Sequence, residues 1–364
     1  MKIGKQKKLC GMAIIVALMI AVNFLKADTA TAVAVSEKVD KDSAKTPFLK
    51  AIRLDKVLAK AYSFAGDVFF MLRYYDGAIS SYTESIRLKQ DNYHVYLNRG
   101  RSYRQKGRLD KAIADYTKVI QLKPDYAVAF LLRGGAYGDS GDIDKAIADF
   151  DETIRLNPQI VYAYLYRAGC HYRNKDYNKA IADYTRVTIL APDFAPAYCY
   201  RGECYGHKVE FHECISDCTE AIRLKPDFAR AYCSRGSAYI MVQDFDTAIS
   251  DFTESIRLNP HYVSAYLFRG DAYVKKGQLD KAIADFSEVI RLKPKKAYNY
   301  SHRGEGYFQN GDWDKAIADC TESIRLDPKF AKAYFIRSLA YEKKGLSDKA
   351  KEDLTKGQSL TSEP

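Results

Sequence analysis

The chain has 364 residues, 28% of them charged, and a formal net charge of +11. Its Lys and Arg are interspersed with Asp and Glu, which excludes a dedicated basic patch and leaves solubility and weak attraction to acidic surfaces. A repeat fills nearly the whole length, so the two or three globular domains usual for this size are excluded, and no room remains for a catalytic domain.

At the amino terminus, Lys2, Lys5, Lys7 and Lys8 precede the apolar run Leu9–Leu25, followed by Ala30-Thr31-Ala32. This order of positive, apolar and small-residue segments reads as a secretory leader, residues 1–32, cleaved after Ala32. The alternative is an uncleaved amino-terminal membrane anchor, with an apolar run at the short limit for a span. Either way, the lysines hold the amino end in the cytoplasm and the rest of the chain crosses. Cys10 lies at the start of the apolar run instead of following it, which argues against a lipoprotein cleavage site. Residues 33–46 are polar and read as a disordered linker. Thr46-Pro47 then gives an N-cap and first helical position, and Phe48, Ala51 and Leu54 predict a capping helix over 47–56.

Beyond this point Pro124, Pro158, Pro192, Pro226, Pro260, Pro294 and Pro328 fall 34 residues apart. Most copies place an aromatic three residues before Arg-Gly, a Tyr three after the Gly, then Ala, a second aromatic and Pro. In one copy these are Tyr96, Arg99, Gly100, Tyr103, Ala112, Tyr116 and Pro124. Spacings of three and four put them on helical faces. Gly107, Gly141, Gly277, Gly311 and Gly345 mark a turn in mid-unit. Asp125, Asp193 and Asp227, directly after the proline, are expected to cap the next helix. Each unit is therefore predicted to be helix–turn–helix. A fixed period of this length means stacked copies that bury their apolar faces on one another.

The pattern resembles the tetratricopeptide repeat family, whose signature runs Trp-x2-Leu-Gly-x2-Tyr, Ala-x3-Phe, Pro. Nine units cover 57–362: 57–90, 91–124, 125–158, 159–192, 193–226, 227–260, 261–294, 295–328 and 329–362. The first has Gln90 in place of Pro, and the last ends polar, with Lys351 and Gly357. The resemblance implies an all-α fold, an alpha-alpha superhelix of antiparallel helix pairs. It also implies a groove, lined by the first helix of each unit, that accepts extended or helical segments of other proteins. Carried onto this chain, the groove includes Leu131, Tyr162, Leu165, Tyr166, Tyr172, Tyr200, Ile240, Met241, Leu267 and Phe268. The branch that grips a carboxylate with Lys and Asn is not expected, because those columns here carry Leu and Cys, or Gly135, Gly169 and Glu203.

Two charged columns recur. Arg99, Arg133, Arg167, Arg201, Arg235, Arg269, Arg303 and Arg337 stand where the family prefers Leu. Sixteen positions later stand Asp115, Asp149, Asp183, Asp217, Asp251, Asp285, Asp319 and Asp353. Matched columns of opposite sign predict a structural ladder of ion pairs. If exposed, each contributes about 0–1 kcal/mol; an anion-binding stripe is the functional alternative.

Seven cysteines follow the leader, an odd number. The same-position pairs Cys199 with Cys233 and Cys170 with Cys204 are too far apart to bond. A bridge from Cys204 to Cys214 or Cys218 is geometrically possible. The fifth unit gathers Cys199, Cys204, His207, His212, Cys214 and Cys218, residue types that ligate zinc. The spacing lacks paired knuckles, and Ser216 stands where a zinc protease motif needs His, so altered core packing is the preferred reading. Asn299-Tyr300-Ser301 is a sequon inside a predicted helix.

No cofactor or metal is expected. No P-loop, dinucleotide loop or G-x-S-x-G motif occurs, so an enzyme is not expected either. The expectation is an exported, periplasmic or envelope-associated scaffold that binds proteins, touching membrane only through an uncleaved leader. The alternatives are a small-ligand or glycan sensor and, further off, a metal- or nucleic-acid-binding repeat protein.

Overall fold

The computed structural model describes residues 45–361, with side chains from residue 55; the leader and nearly all of the predicted linker lie outside the described residues. The described residues form eighteen helices and no strand. The chain divides into two compact units, with the division after Asn174. In the first unit these are α1 (Lys45–Met71), α2 (Tyr75–Leu88), α3 (Tyr93–Gln105), α4 (Leu109–Leu122), α5 (Ala127–Ser140), α6 (Ile143–Leu156) and α7 (Val161–Arg173). The second unit continues with α8 (Tyr177–Leu190), α9 (Ala195–His207), α10 (Phe211–Leu224), α11 (Ala229–Met241) and α12 (Phe245–Leu258). It is completed by α13 (Val263–Lys275), α14 (Leu279–Leu292), α15 (Ala297–Gln309), α16 (Trp313–Leu326), α17 (Ala331–Lys343) and α18 (Ser347–Thr361). Within each unit consecutive helices pack in antiparallel pairs, all-α in class as expected.

The predicted capping helix is not a separate element. α1 runs unbroken through 47–56 and on through the first helix of the first repeat. Nothing in 56–60 (Lys-Val-Leu-Ala-Lys) breaks a helix, since it contains no Gly or Pro and Ala and Leu favour the state.

The turn inside each repeat needs a left-handed residue. Gly107, Gly141, Gly277, Gly311 and Gly345 supply it at φ between 69° and 90°. In the other four repeats Arg73, Lys175, Val209 and Gln243 occupy the same place at φ 59° to 67°. A side chain is tolerated there at a cost, most of all for β-branched Val209.

Asp125, Asp193 and Asp227 do not cap the helices that follow them. The capping positions fall on Tyr126, Phe194 and Phe228, one residue later, and none of these side chains accepts a hydrogen bond from the helix. Side-chain caps occur instead at Asn92, which accepts from the His94 amide at 3.2 Å, and at Asp244, which accepts from the Thr247 amide at 3.1 Å.

The core repeats with the sequence. Tyr116 of α4 and Phe286 of α14 are buried against a glycine of the preceding helix. A Cβ on Gly100 would lie 2.7 Å from Tyr116 Cε1, and one on Gly270 only 2.5 Å from Phe286 Cε1. The aromatic volume and the missing side chain are two halves of one close packing. Hydroxyls tie the pairs further: Ser255 Oγ donates to the Ala229 carbonyl and Ser323 Oγ to the Ala297 carbonyl, both at 2.8 Å.

Candidate functional site

The arginine column sits at the middle of the packing. Arg99 Nε and Nη2 donate to Asp115 Oδ2 and Oδ1 at 2.9 and 2.7 Å. Arg235 does the same to Asp251 at 2.8 Å for both bonds. The fork recurs in Arg133–Asp149, Arg201–Asp217, Arg269–Asp285, Arg303–Asp319 and Arg337–Asp353. The carboxylates are buried and the guanidiniums close to it, so this is not an exposed ladder. Burial pushes Asp115 and Asp285 above the ordinary carboxylate range, and the arginine hydrogen bonds pull the other way. Hydrogen bonding to Asp251 raises Arg235 further.

The sequence reading missed the third contact. Arg99 Nη1 donates to Thr83 Oγ1 of the preceding repeat at 3.1 Å. Thr117, Thr185, Thr219, Thr253, Ser287 and Thr321 serve Arg133, Arg201, Arg235, Arg269, Arg303 and Arg337 in turn. In α7, Arg167 Nη1 meets Asp151 at 2.5 Å, because Asp replaces the hydroxyl there. Asp183 is buried like the other aspartates. A hydroxyl sixteen residues before every ladder Arg but Arg167 was the signal available in the sequence. Each of these guanidiniums thus spends three of its five N–H donors on protein groups, and the aspartate supplies its counter-charge.

The face lined by first helices is where side chains remain accessible. First helices of consecutive repeats touch one another within each unit. In the first unit, Tyr162 and Tyr166 are 54% and 45% exposed on α7, with rings 5.8 Å apart. A Cβ on nearby Gly169 would meet nothing within 4 Å, so the tyrosines stand beside open space. Tyr172 and Leu165 are half-buried.

Several expected groove residues are half-buried against the core. Leu131 packs against the cluster of Ala146, Phe150 and Cys170. Its column also contains Leu97, Cys199, Cys233 and Ser301, all buried. Successive residues differ by about 100° around a helix; in the next column, Asn98, Leu132, Tyr166, Tyr200, Ser234, Phe268 and His302, Tyr166 is exposed and the others are half-buried. In the second unit Ile240 and Phe268 pack onto the core around Phe252 and Ala248. Leu267 is half-buried and Met241 exposed. Tyr200 is covered: the Arg230 guanidinium lies 4.8 Å from its ring centre and forks onto Glu203 at 2.6 and 2.7 Å.

The thiols of the fifth repeat are buried, whereas His207 and His212 lie at the surface, so the six residues do not share one site. The neighbouring Cys199 and Cys214 thiols, together with burial, push the Cys218 thiol well up. Burial pushes Cys204 to about 12. Protonated thiols are poor nucleophiles and poor metal ligands. Among the described residues no three His, Cys, Asp or Glu side chains gather to hold a metal, and the seven described cysteines are free. Asn299 and Ser301 of the sequon are fully buried. No described helix is long and apolar enough to cross a membrane.

Comparison with known proteins completes the assignment. A family model described as TPR repeat matches residues 100–141 and 270–311. Models described as tetratricopeptide repeat match 131–194, 229–262, 297–330 and 331–364. Among solved structures, a tetratricopeptide repeat protein from Parabacteroides merdae is 18% identical, covering 69% of this chain and 99% of its own, with a TM-score of 0.55. The Cut9–Hcn1 hetero-tetramer of the APC/C gives the same identity and TM-score over 79% of this chain and 58% of that one. Pseudomonas aeruginosa PilF matches at 18% identity and a TM-score of 0.50, over 57% of this chain and 94% of its own. At this identity they speak for the fold alone. None of the curated proteins compared matches the chain. With its helix pairs, its 34-residue period and these matched segments, the chain belongs to the tetratricopeptide repeat family.

Proposed function

We propose that the chain is a non-catalytic scaffold that holds extended or helical segments of partner proteins against its first helices, and that its leader carries it to the cell envelope. The observation that supports this most is the Tyr162–Tyr166 pair beside the open space at Gly169. Exposed aromatics with few rotamers are efficient anchors, and each commonly contributes about 2 kcal/mol when buried by a partner. The fold supplies a rigid surface and the ladder consumes its charges internally, so recognition falls to these side chains.

The test is site-specific photocrosslinking from position 166 in cells. Position 155 on α6 serves as the control, because Arg155 is exposed on a second helix. One defined adduct from 166, absent from 155 and weakened about 30-fold in affinity by Tyr162→Glu, supports the reading. Equal capture from both positions refutes it. Export is tested separately by protease accessibility in spheroplasts, where protection of the repeats would overturn the envelope assignment.

A further inference from the structure

The second unit carries a second, smaller charge pattern on its first helices. Glu203 of α9 is met by Arg230 of α11, 27 residues on, at 2.6 Å. Glu305 of α15 is met by Lys332 of α17, again 27 residues on, at 2.8 Å. The same column carries Asp271 on α13, and 27 residues beyond it, where the cation stands in the other two rungs, is Tyr298.

Asp271 is therefore an acid whose expected cation is missing. Its one ion-pair contact among the described residues is His302 Nδ1, at 3.8 Å. Lys332 is engaged by Glu305, and Lys275, one turn along α13, is exposed and not in ion-pair contact with Asp271. From α11 the same column presents Ser237, which carries no charge. Tyr298 is exposed, its ring edge-on to His302 at 6.3 Å, and Phe268 lies on the same face.

We infer that the place between Asp271 and Tyr298 accepts a lysine or arginine side chain from a partner segment, which completes the rung that this repeat leaves open. The carboxylate supplies the counter-charge and the tyrosine ring a face for the cation. The partner is thus a segment with a basic residue. Burial pushes Asp271 up to about 6, with Glu305 adding to that and Lys332 and Lys275 opposing it. An ammonium or guanidinium binds the ionised form, so binding weakens as pH falls through this value. Burial and Lys332 hold His302 below its ordinary range; when it does protonate, at lower pH, its charge acts in the same direction. This inference shares with the proposed function the premise that partners lie along first helices. It concerns the other unit and uses a single-residue probe, so either can fail without the other.

The probe is Nα-acetyl-arginine methylamide, titrated into the full chain with carboxyl-13C aspartate and read at the Asp271 resonance. The expected result is a saturable shift at pH 7.5, with affinity about ten-fold weaker at pH 5, where about a tenth of the carboxyls remain ionised. The neutral analogue acetyl-norleucine methylamide should give no shift. Tyr298→Lys restores the missing ammonium from within the chain. It should lower the Asp271 pKa and abolish probe binding measured calorimetrically, as should Asp271→Asn. No saturable shift, an equal response to norleucine, equal affinity at both pH values, or binding that survives Tyr298→Lys would overturn the inference.

Discussion

Breaking one rung of the arginine ladder should cost far more than an exposed ion pair does. Consider Arg235 and Asp251, whose side chains are 17% and 6% exposed. Asp251→Ala removes two bonds of 2.8 Å and leaves the guanidinium with Thr219 Oγ1 at 3.1 Å and the Tyr232 ring. That arginine reaches water at its edge, so the cost falls to about 2–3 kcal/mol, below the 3–5 typical of a fully buried pair. Arg235→Ala strands the more deeply buried carboxylate and should cost about 3–5 kcal/mol. Removing both as Arg235→Met with Asp251→Leu leaves no uncompensated charge and should cost about 0–2 kcal/mol, well below the about 5 kcal/mol or more that the two single changes sum to. Tandem arrays do not unfold as one cooperative block. The assay is therefore native-state hydrogen exchange on the amides of α11 and α12, with α16 as an internal control. Single changes costing under about 1 kcal/mol each and adding without coupling would refute the argument, because that is the behaviour of exposed pairs.

Two further substitutions test the packing. Gly270→Ala should destabilise by about 1–3 kcal/mol through overpacking against Phe286, whereas Gly169→Ala meets open space and should stabilise by about 0.5–1 kcal/mol through helix propensity; urea denaturation of the two variants checks both signs. In the fifth repeat, Cys214 and Cys218 replace the Ala and aromatic found as Ala248 and Phe252 one repeat on. Cys218→Phe alone should cost about 1–3 kcal/mol, and adding Cys214→Ala should recover most of it, with thermal unfolding as the readout.

The repeat period, the helix pairs and the partner columns of the ladder could all be read from the sequence, because each is a spacing and spacings survive folding. Depth could not. The period says that Arg99 and Asp115 meet, but only the packing of α3 on α4 shows the carboxylate buried. Cover on the groove face was illegible for a related reason: Leu131 packs half-buried on Ala146 and Phe150, while Tyr166 on the next first helix stays exposed. Helix ends were less legible still. Asp125 looked like a cap, yet the helix starts beyond Tyr126, and the capping helix vanished into α1 because no residue between them breaks it.

The division of labour among columns explains why one face can vary while the fold does not. Arg, Asp and the hydroxyl before them recur in nearly every copy and point between helices, where a change would strand a buried charge. The column from Asn98 to Leu132, Tyr166, Tyr200, Ser234, Phe268 and His302 changes at all but one step, although it lies on first helices too. Its side chains pack less deeply than the ladder, so each copy can present different chemistry with little effect on stability. Under the proposed function, recognition is local within each unit: an aromatic pair at Tyr162 and Tyr166 in the first, a closed ion pair over Tyr200 and an open carboxylate at Asp271 in the second. Grafting Tyr162 and Tyr166 onto the equivalent positions of another repeat should then move the apolar preference and leave the basic one where it is.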